Sequence, residues 1–117
     1  GALVEKGYDL FERGEHEAAL SAWNKAVSLD PKNAKIHNNR AAVLFELGRH
    51  QEAIEACTQA LTAQPGYAVA HMTRGEIYAA MGNRDAVMRE YTALNAIDEE
   101  LAQQLIELVR GLKDQPE

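Results

Sequence analysis

Cysteine, proline and aromatic side chains are all scarce in this 117-residue chain, which has one Cys, three Pro and 6% aromatics. A lone thiol, Cys57, closes no intrachain disulfide and builds no zinc cluster. Disulfide scaffolds and zinc fingers are therefore excluded, and the redox compartment is left open. Few prolines and eight glycines, in a chain that is 46% hydrophobic and 26% charged, exclude disordered and collagen-like classes and require a real core. Positive charge is in deficit: 12 Lys plus Arg against 18 Asp plus Glu gives a net charge of −6. That sign is wrong for phosphate backbones, so nucleic acid is not an expected partner. Long apolar runs are missing as well. No stretch reaches the ~18 residues that span a bilayer, and the amino end lacks the basic flank and apolar core of a secretory signal. No membrane contact is expected from this segment, and the cytoplasm is the favoured compartment. The chain starts Gly1-Ala2 rather than with methionine, which suggests a piece of a longer protein and leaves an upstream targeting segment an open question.

What the chain does have is a period. Gly14, Gly48 and Gly82 are spaced 34 apart, and the same interval links Pro31 to Pro65, Ala19 to Ala53 and Ala26 to Ala60. It also links His16 to His50 and His37 to His71, so the four histidines mark repeat positions instead of converging on a metal. Within each unit apolar residues follow helical spacing, as in Leu3, Tyr8, Leu10, Phe11 and then Ala19, Leu20, Trp23, Ala26, Val27. Two helices per unit follow, at about 2–13 and 16–29, 34–47 and 50–63, 68–81 and 84–97. The three glycines end the first helix of each pair, where a left-handed residue strains any side chain. Pro31 and Pro65 separate the units, and Asn33 caps the next helix. No segment suggests a β-strand.

The segment from Asp98 to Lys113 places Leu101, Leu105, Leu108 and Leu112 on one face, with Asp98, Glu99 and Glu100 in its first turn and Arg110 and Lys113 in its last. It is a seventh helix that caps the array. Ile106 and Val109 either widen its packing face or form a docking surface. The domain is expected to cover 1–113, with repeats at about 1–33, 34–67 and 68–97, a cap at about 98–113 and a frayed tail at 114–117.

The 34-residue unit resembles the tetratricopeptide repeat (TPR) family. Leu3, Gly7, Leu10, Ala19, Trp23, Ala26 and Pro31 follow its pattern in the first unit, and Ala53, Cys57, Ala60 and Pro65 in the second. The third has Gly75, Tyr78 and Tyr91 but Val87 and Leu94 at the small-residue positions. The resemblance implies an all-α, right-handed helical-repeat solenoid of three units plus a capping helix. Small residues at 19, 26, 53 and 60 let helices approach, and Trp23, Cys57 and Tyr91 fill the space left over. Cys57 is expected to be a buried small hydrophobe, since nothing near it in sequence lowers its pKa.

No chemistry-bearing motif appears. His16-Glu17 lacks the second histidine of a zinc-protease helix, and there is no phosphate loop, dinucleotide fingerprint or nucleophile–base pattern. No catalytic residue, cofactor or metal is expected, and the chain is expected not to be an enzyme.

The resemblance instead implies a concave surface lined by the first helices. Helical projection puts Val4, Tyr8, Phe11 and Glu12 on it, then Lys35, Asn38, Asn39, Ala42, Phe45 and Glu46, then Val69, Met72, Thr73, Glu76 and Ala80. This is an apolar, aromatic groove with amides at its centre and carboxylates at its edge. Asn38 and Asn39 stand out, because an amide inside a helix serves a peptide backbone better than it serves the helix. The expected partner is a protein or peptide with apolar anchors and neutral or basic character, bound by a scaffold or adaptor. One branch of the family holds acidic chaperone tails with two lysines, an arginine and two asparagines. Here Val4 and Val69 replace the lysines, Tyr8 one asparagine and Thr73 the arginine, leaving only Asn39, so chaperone-tail binding is not expected. The alternative reading is self-assembly as a homo-oligomer through the cap or the groove.

Overall fold

A computed structural model describes the backbone of residues 1–113 and the side chains of 1–111. The frayed tail expected at 114–117 and the Leu112 and Lys113 side chains lie outside the described residues. Seven helices follow one another: α1 (Ala2–Glu12), α2 (His16–Leu29), α3 (Ala34–Glu46), α4 (His50–Ala63), α5 (Ala68–Ala80), α6 (Arg84–Ile97) and α7 (Glu99–Lys113). They match the sequence-based helices to within a residue at each end, and no strand occurs among the described residues.

The punctuation works as the residue types require. Among the described residues Gly14, Gly48 and Gly82 are those with positive φ, at 78°, 75° and 74°. Each turn closes the same way. The Gly14 amide donates to the Phe11 carbonyl and the Glu15 amide to that of Leu10, and this pair of bonds recurs at Gly48 and Gly82. Carbonyls that the helix end would leave open are thereby satisfied. At the opposite ends, Asn33 Oδ1 accepts from the Ile36 amide at 3.3 Å and Asn83 Oδ1 from that of Ala86 at 3.2 Å. Asp98, expected inside the last helix, sits before it and caps it through the Leu101 amide at 3.1 Å. A carboxylate there satisfies an open amide and meets the positive end of the helix dipole.

Packing divides the chain into two compact units, Gly1–Tyr67 and a second beginning at Ala68. In the first, α1 packs on α2, α2 on α3 and α3 on α4. Ala19, Ala26, Ala53 and Ala60 are buried, so the helices close on one another as expected, and Trp23, Leu44 and Cys57 fill the spaces between them. Full burial of a side chain such as Leu44 contributes about 1.5–3 kcal/mol. In the second unit α7 packs on both α5 and α6. Val87, Leu94, Ala102 and Leu105 form its centre. Larger side chains at the third unit's small-residue positions therefore meet the cap.

Candidate functional site

Tyr8, Phe11 and Glu12 lie at i, i+3 and i+4 of α1, and Asn39, Ala42 and Val43 at i, i+3 and i+4 of α3, so each set forms one helical face. Together with Trp23 of α2 these residues line a hollow of about 280 Å³ inside the first unit. Ala42 provides the room, since its repeat counterparts are Tyr8 and Glu76. Trp23, 1% exposed, is the floor. Its ring meets that of Tyr8 edge to face, with centroids 5.1 Å apart and planes at 85°, a favoured aromatic geometry. The Asn39 side-chain amide donates to the Tyr8 hydroxyl at 2.8 Å. Tyr8 is 38% exposed, so this bond sits at the rim, within reach of a ligand.

Five expected groove residues, Tyr8, Phe11, Glu12, Asn39 and Ala42, are brought together here. Others fall elsewhere. Val4 lines a separate hollow of about 330 Å³ with Leu3, Leu29 and Ile36. Phe45 is half-buried and tilts against His50, with ring centroids 5.4 Å apart, just as Phe11 tilts against His16. Lys35 and Glu46 are exposed on α3.

Asn38 is a correction. Its side chain is 7% exposed, its Oδ1 is buried without a hydrogen-bond partner among the described residues, and it does not line the hollow. Neighbouring helical residues point about 100° apart, and with Asn39 at the hollow Asn38 turns inward. Met72 is a second correction. Expected on the groove stripe, it is half-buried and packs against the core that α6 and α7 build. On α5 Val69 is 45% exposed and Ala80 is exposed, while Thr73 and Glu76 are half-buried. The Thr73 hydroxyl donates to the Val69 carbonyl at 2.9 Å. Burial pushes the Glu76 carboxyl above the ordinary glutamate range.

At the cap, Ile106 and Val109 are half-buried, Val109 packs on the same core, and Leu105 is fully buried. The reason is Gly75, where a Cβ would lie 2.8 Å from Leu105 Cδ2. The absent side chain lets the leucine seat on α5.

Sequence reasoning missed a buried ionic cluster in the second unit. Glu90, 5% exposed, accepts from Arg74 Nε at 2.9 Å and Nη2 at 3.2 Å, and its Oε1 lies 2.9 Å from His71 Nδ1. The available signal was a glutamate standing where the other repeats have Ala22 and Ala56. Of the histidines, His37 binds the Pro31 carbonyl through Nε2 at 2.6 Å, so the two equivalent histidines serve different local partners. No grouping of residues suited to a metal ion occurs among the described residues, and no described helix is long and apolar enough to cross a membrane.

Solved structures share this fold. The TPR2B domain of yeast Sti1, in a complex with pHsp70, superposes with a TM-score of 0.87 at 22% identity, covering 98% of this chain and 96% of that one. The Arabidopsis OM64 TPR domain gives 0.86 at 21% identity, covering 94% and 93%. The second TPR domain of human RPAP3, solved with the HSP70 peptide SGPTIEEVD, gives 0.83 at 21% identity, covering 92% of each. At these identities the likeness shows the all-α helical-repeat fold. In sequence, 39 residues are 44% identical to stress-induced-phosphoprotein 1 of Caenorhabditis elegans, which is 33% of this chain and 12% of that relative's length. Tetratricopeptide-repeat family models match residues 4–68 and 44–109. With more than half of the chain under one such model, and with its 34-residue period, glycine turns and close-packed alanines in place, the chain belongs to the tetratricopeptide repeat family.

Proposed function

We propose that this chain is a non-enzymatic protein-interaction module that binds a peptide segment through the hollow between α1 and α3. The observation that carries this is the hollow itself: an aromatic recess with an amide and a hydroxyl at its rim, inside one compact unit. Few precisely placed polar groups around an apolar recess are what orient a ligand. A peptide side chain enters against Tyr8 and Phe11, and Asn39 fixes register by turning its amide to the ligand backbone. Truncating a true anchor should cost about 2 kcal/mol or more in binding. Family membership supports the coarser part, since tetratricopeptide repeats are a protein-interaction fold. The hollow lies wholly within Gly1–Tyr67, so Val69 and Thr73 are not required for it.

The competing ligand is an acidic carboxyl-terminal peptide, because structural neighbours were solved with the HSP70 peptide SGPTIEEVD and the HSP90 peptide SRMEEVD. Against it stand Glu12 in the lining and the uncharged Val4 and Tyr8 on α1. The test is a peptide-display selection on the intact chain beside a folded Tyr8→Ala, Asn39→Ala variant, with anisotropy titrations of SRMEEVD in parallel. Enriched peptides that the variant loses support the reading. Peptides selected equally by both, an empty selection, or tight binding of SRMEEVD overturn it.

A further inference from the structure

The lining of the α1–α3 hollow has a polarity that its apolar character hides. Three of its seven residues are aromatic, Tyr8, Phe11 and Trp23, one is an acid, Glu12, and none is a cation. The arginines of the first unit are engaged elsewhere: Arg13 with Asp9 at 3.2 Å, Arg40 with Asn24 and Gln59, Arg49 with Glu52 at 2.8 Å. At the rim one amide hydrogen of Asn39 is spent on Tyr8, which leaves Asn39 Oδ1 as an acceptor in a lining that Glu12 shares. The repeat counterpart of Glu12 is a second carboxylate, Glu46, and the whole chain carries a net charge of −6. Aromatic walls, hydrogen-bond acceptors and a carboxylate, in a lining that holds no cation, are together the complement of a basic side chain.

We infer that the hollow takes a basic side chain, a lysine or arginine of the bound peptide, with its alkyl stem on Tyr8 and Phe11 and its charge facing Glu12 and Asn39 Oδ1. This rests on the peptide-binding reading above and adds the ligand's charge class to it. The stem accounts for the apolar surface and the head for the acid, a division that long basic side chains make readily. An acidic anchor meets Glu12 as a like charge with no cation in the lining to offset it.

The test uses the intact chain and a peptide enriched in the display selection, remade with its basic residue replaced by norleucine, an uncharged chain of similar length. Occupancy is read from the fluorescence of Trp23, the only tryptophan of the protein and the floor of the hollow. Replacement by norleucine should weaken binding by about tenfold. The same replacement should matter far less on Glu12→Gln, whose side chain is exposed and whose change leaves the fold intact. Native binding should also weaken as salt is raised. If the enriched peptides lack a basic residue, or norleucine binds as well as lysine while Tyr8→Ala still abolishes binding, the cation inference is wrong and the hollow remains a peptide site. If binding ignores Tyr8→Ala and Asn39→Ala, both readings fall.

Discussion

Gly7 lies so close to Trp23 that a Cβ built on it would stand 2.6 Å from the indole Cε2 and 2.8 Å from Cζ2. The next repeat has Ala41 at this place and Cys57 opposite, both fully buried. The pairs trade volume: glycine with tryptophan, alanine with the smaller thiol. Gly7→Ala should therefore destabilise the protein by about 1–3 kcal/mol through overpacking, although alanine is the better helix former. In a Trp23→Leu background, itself destabilised by the cavity it opens, the same Gly7→Ala change should cost less. Urea unfolding followed by circular dichroism measures both, and a Gly7→Ala protein as stable as the parent would show that the contact is not tight.

This pairing marks how far the sequence was legible. The 34-residue period exposed the helices, the glycine turns and the close-packed alanines, because each repeats a local chemical requirement. It placed Tyr8, Phe11, Asn39 and Ala42 on one stripe, and they do meet. It misjudged Asn38 and Met72 because a helical wheel gives a direction without giving what stands there. Asn38 differs from Asn39 by one step of rotation, and Met72 is claimed by a core that α6 and α7 supply. The cluster of Arg74, His71 and Glu90 was hidden for a similar reason, since its members lie up to nineteen residues apart and only the α5–α6 packing joins them.

That cluster should be asymmetric under mutation. Arg74→Met leaves the Glu90 carboxylate buried with only His71 beside it, and should cost about 3–5 kcal/mol. Glu90→Ala copies the first two repeats and removes the buried carboxylate itself, while the Arg74 side chain is 20% exposed, so it should cost distinctly less. A double-mutant cycle on unfolding free energies decides the point. Equal costs for the two single variants would mean that the carboxylate is not the sensitive member.

Glu76 gives a pH dependence whose sign follows from burial. Desolvation disfavours its charged form, so its folded pKa lies above the unfolded value near 4.5. The folded state then holds the proton more tightly. The associated stability is fully present below the unfolded pKa and is lost as pH rises through the folded one. Glu76→Gln removes this loss, so it should raise the melting temperature at neutral pH and leave it unchanged below about pH 4. Melting curves across a pH series check it, and a shift that is the same at every pH would assign the effect to packing.

Two of the inter-helix glycines, Gly48 and Gly66, should respond in opposite directions to the same substitution. Both have open space where a Cβ would go, so clash plays no part. Gly48 holds φ at +75°, where an L side chain crowds its own backbone, whereas Gly66 is not in the positive-φ region. Gly48→Ala should cost about 1–2 kcal/mol, with the loss falling on the turn that joins α3 to α4. Gly66→Ala instead restricts the unfolded chain at no cost to the folded one, and should add about 0.4–1 kcal/mol. The comparison isolates backbone conformation from contact, because neither new methyl touches anything. Should Gly66→Ala prove as damaging as Gly48→Ala, the difference in φ would not be what separates the two positions.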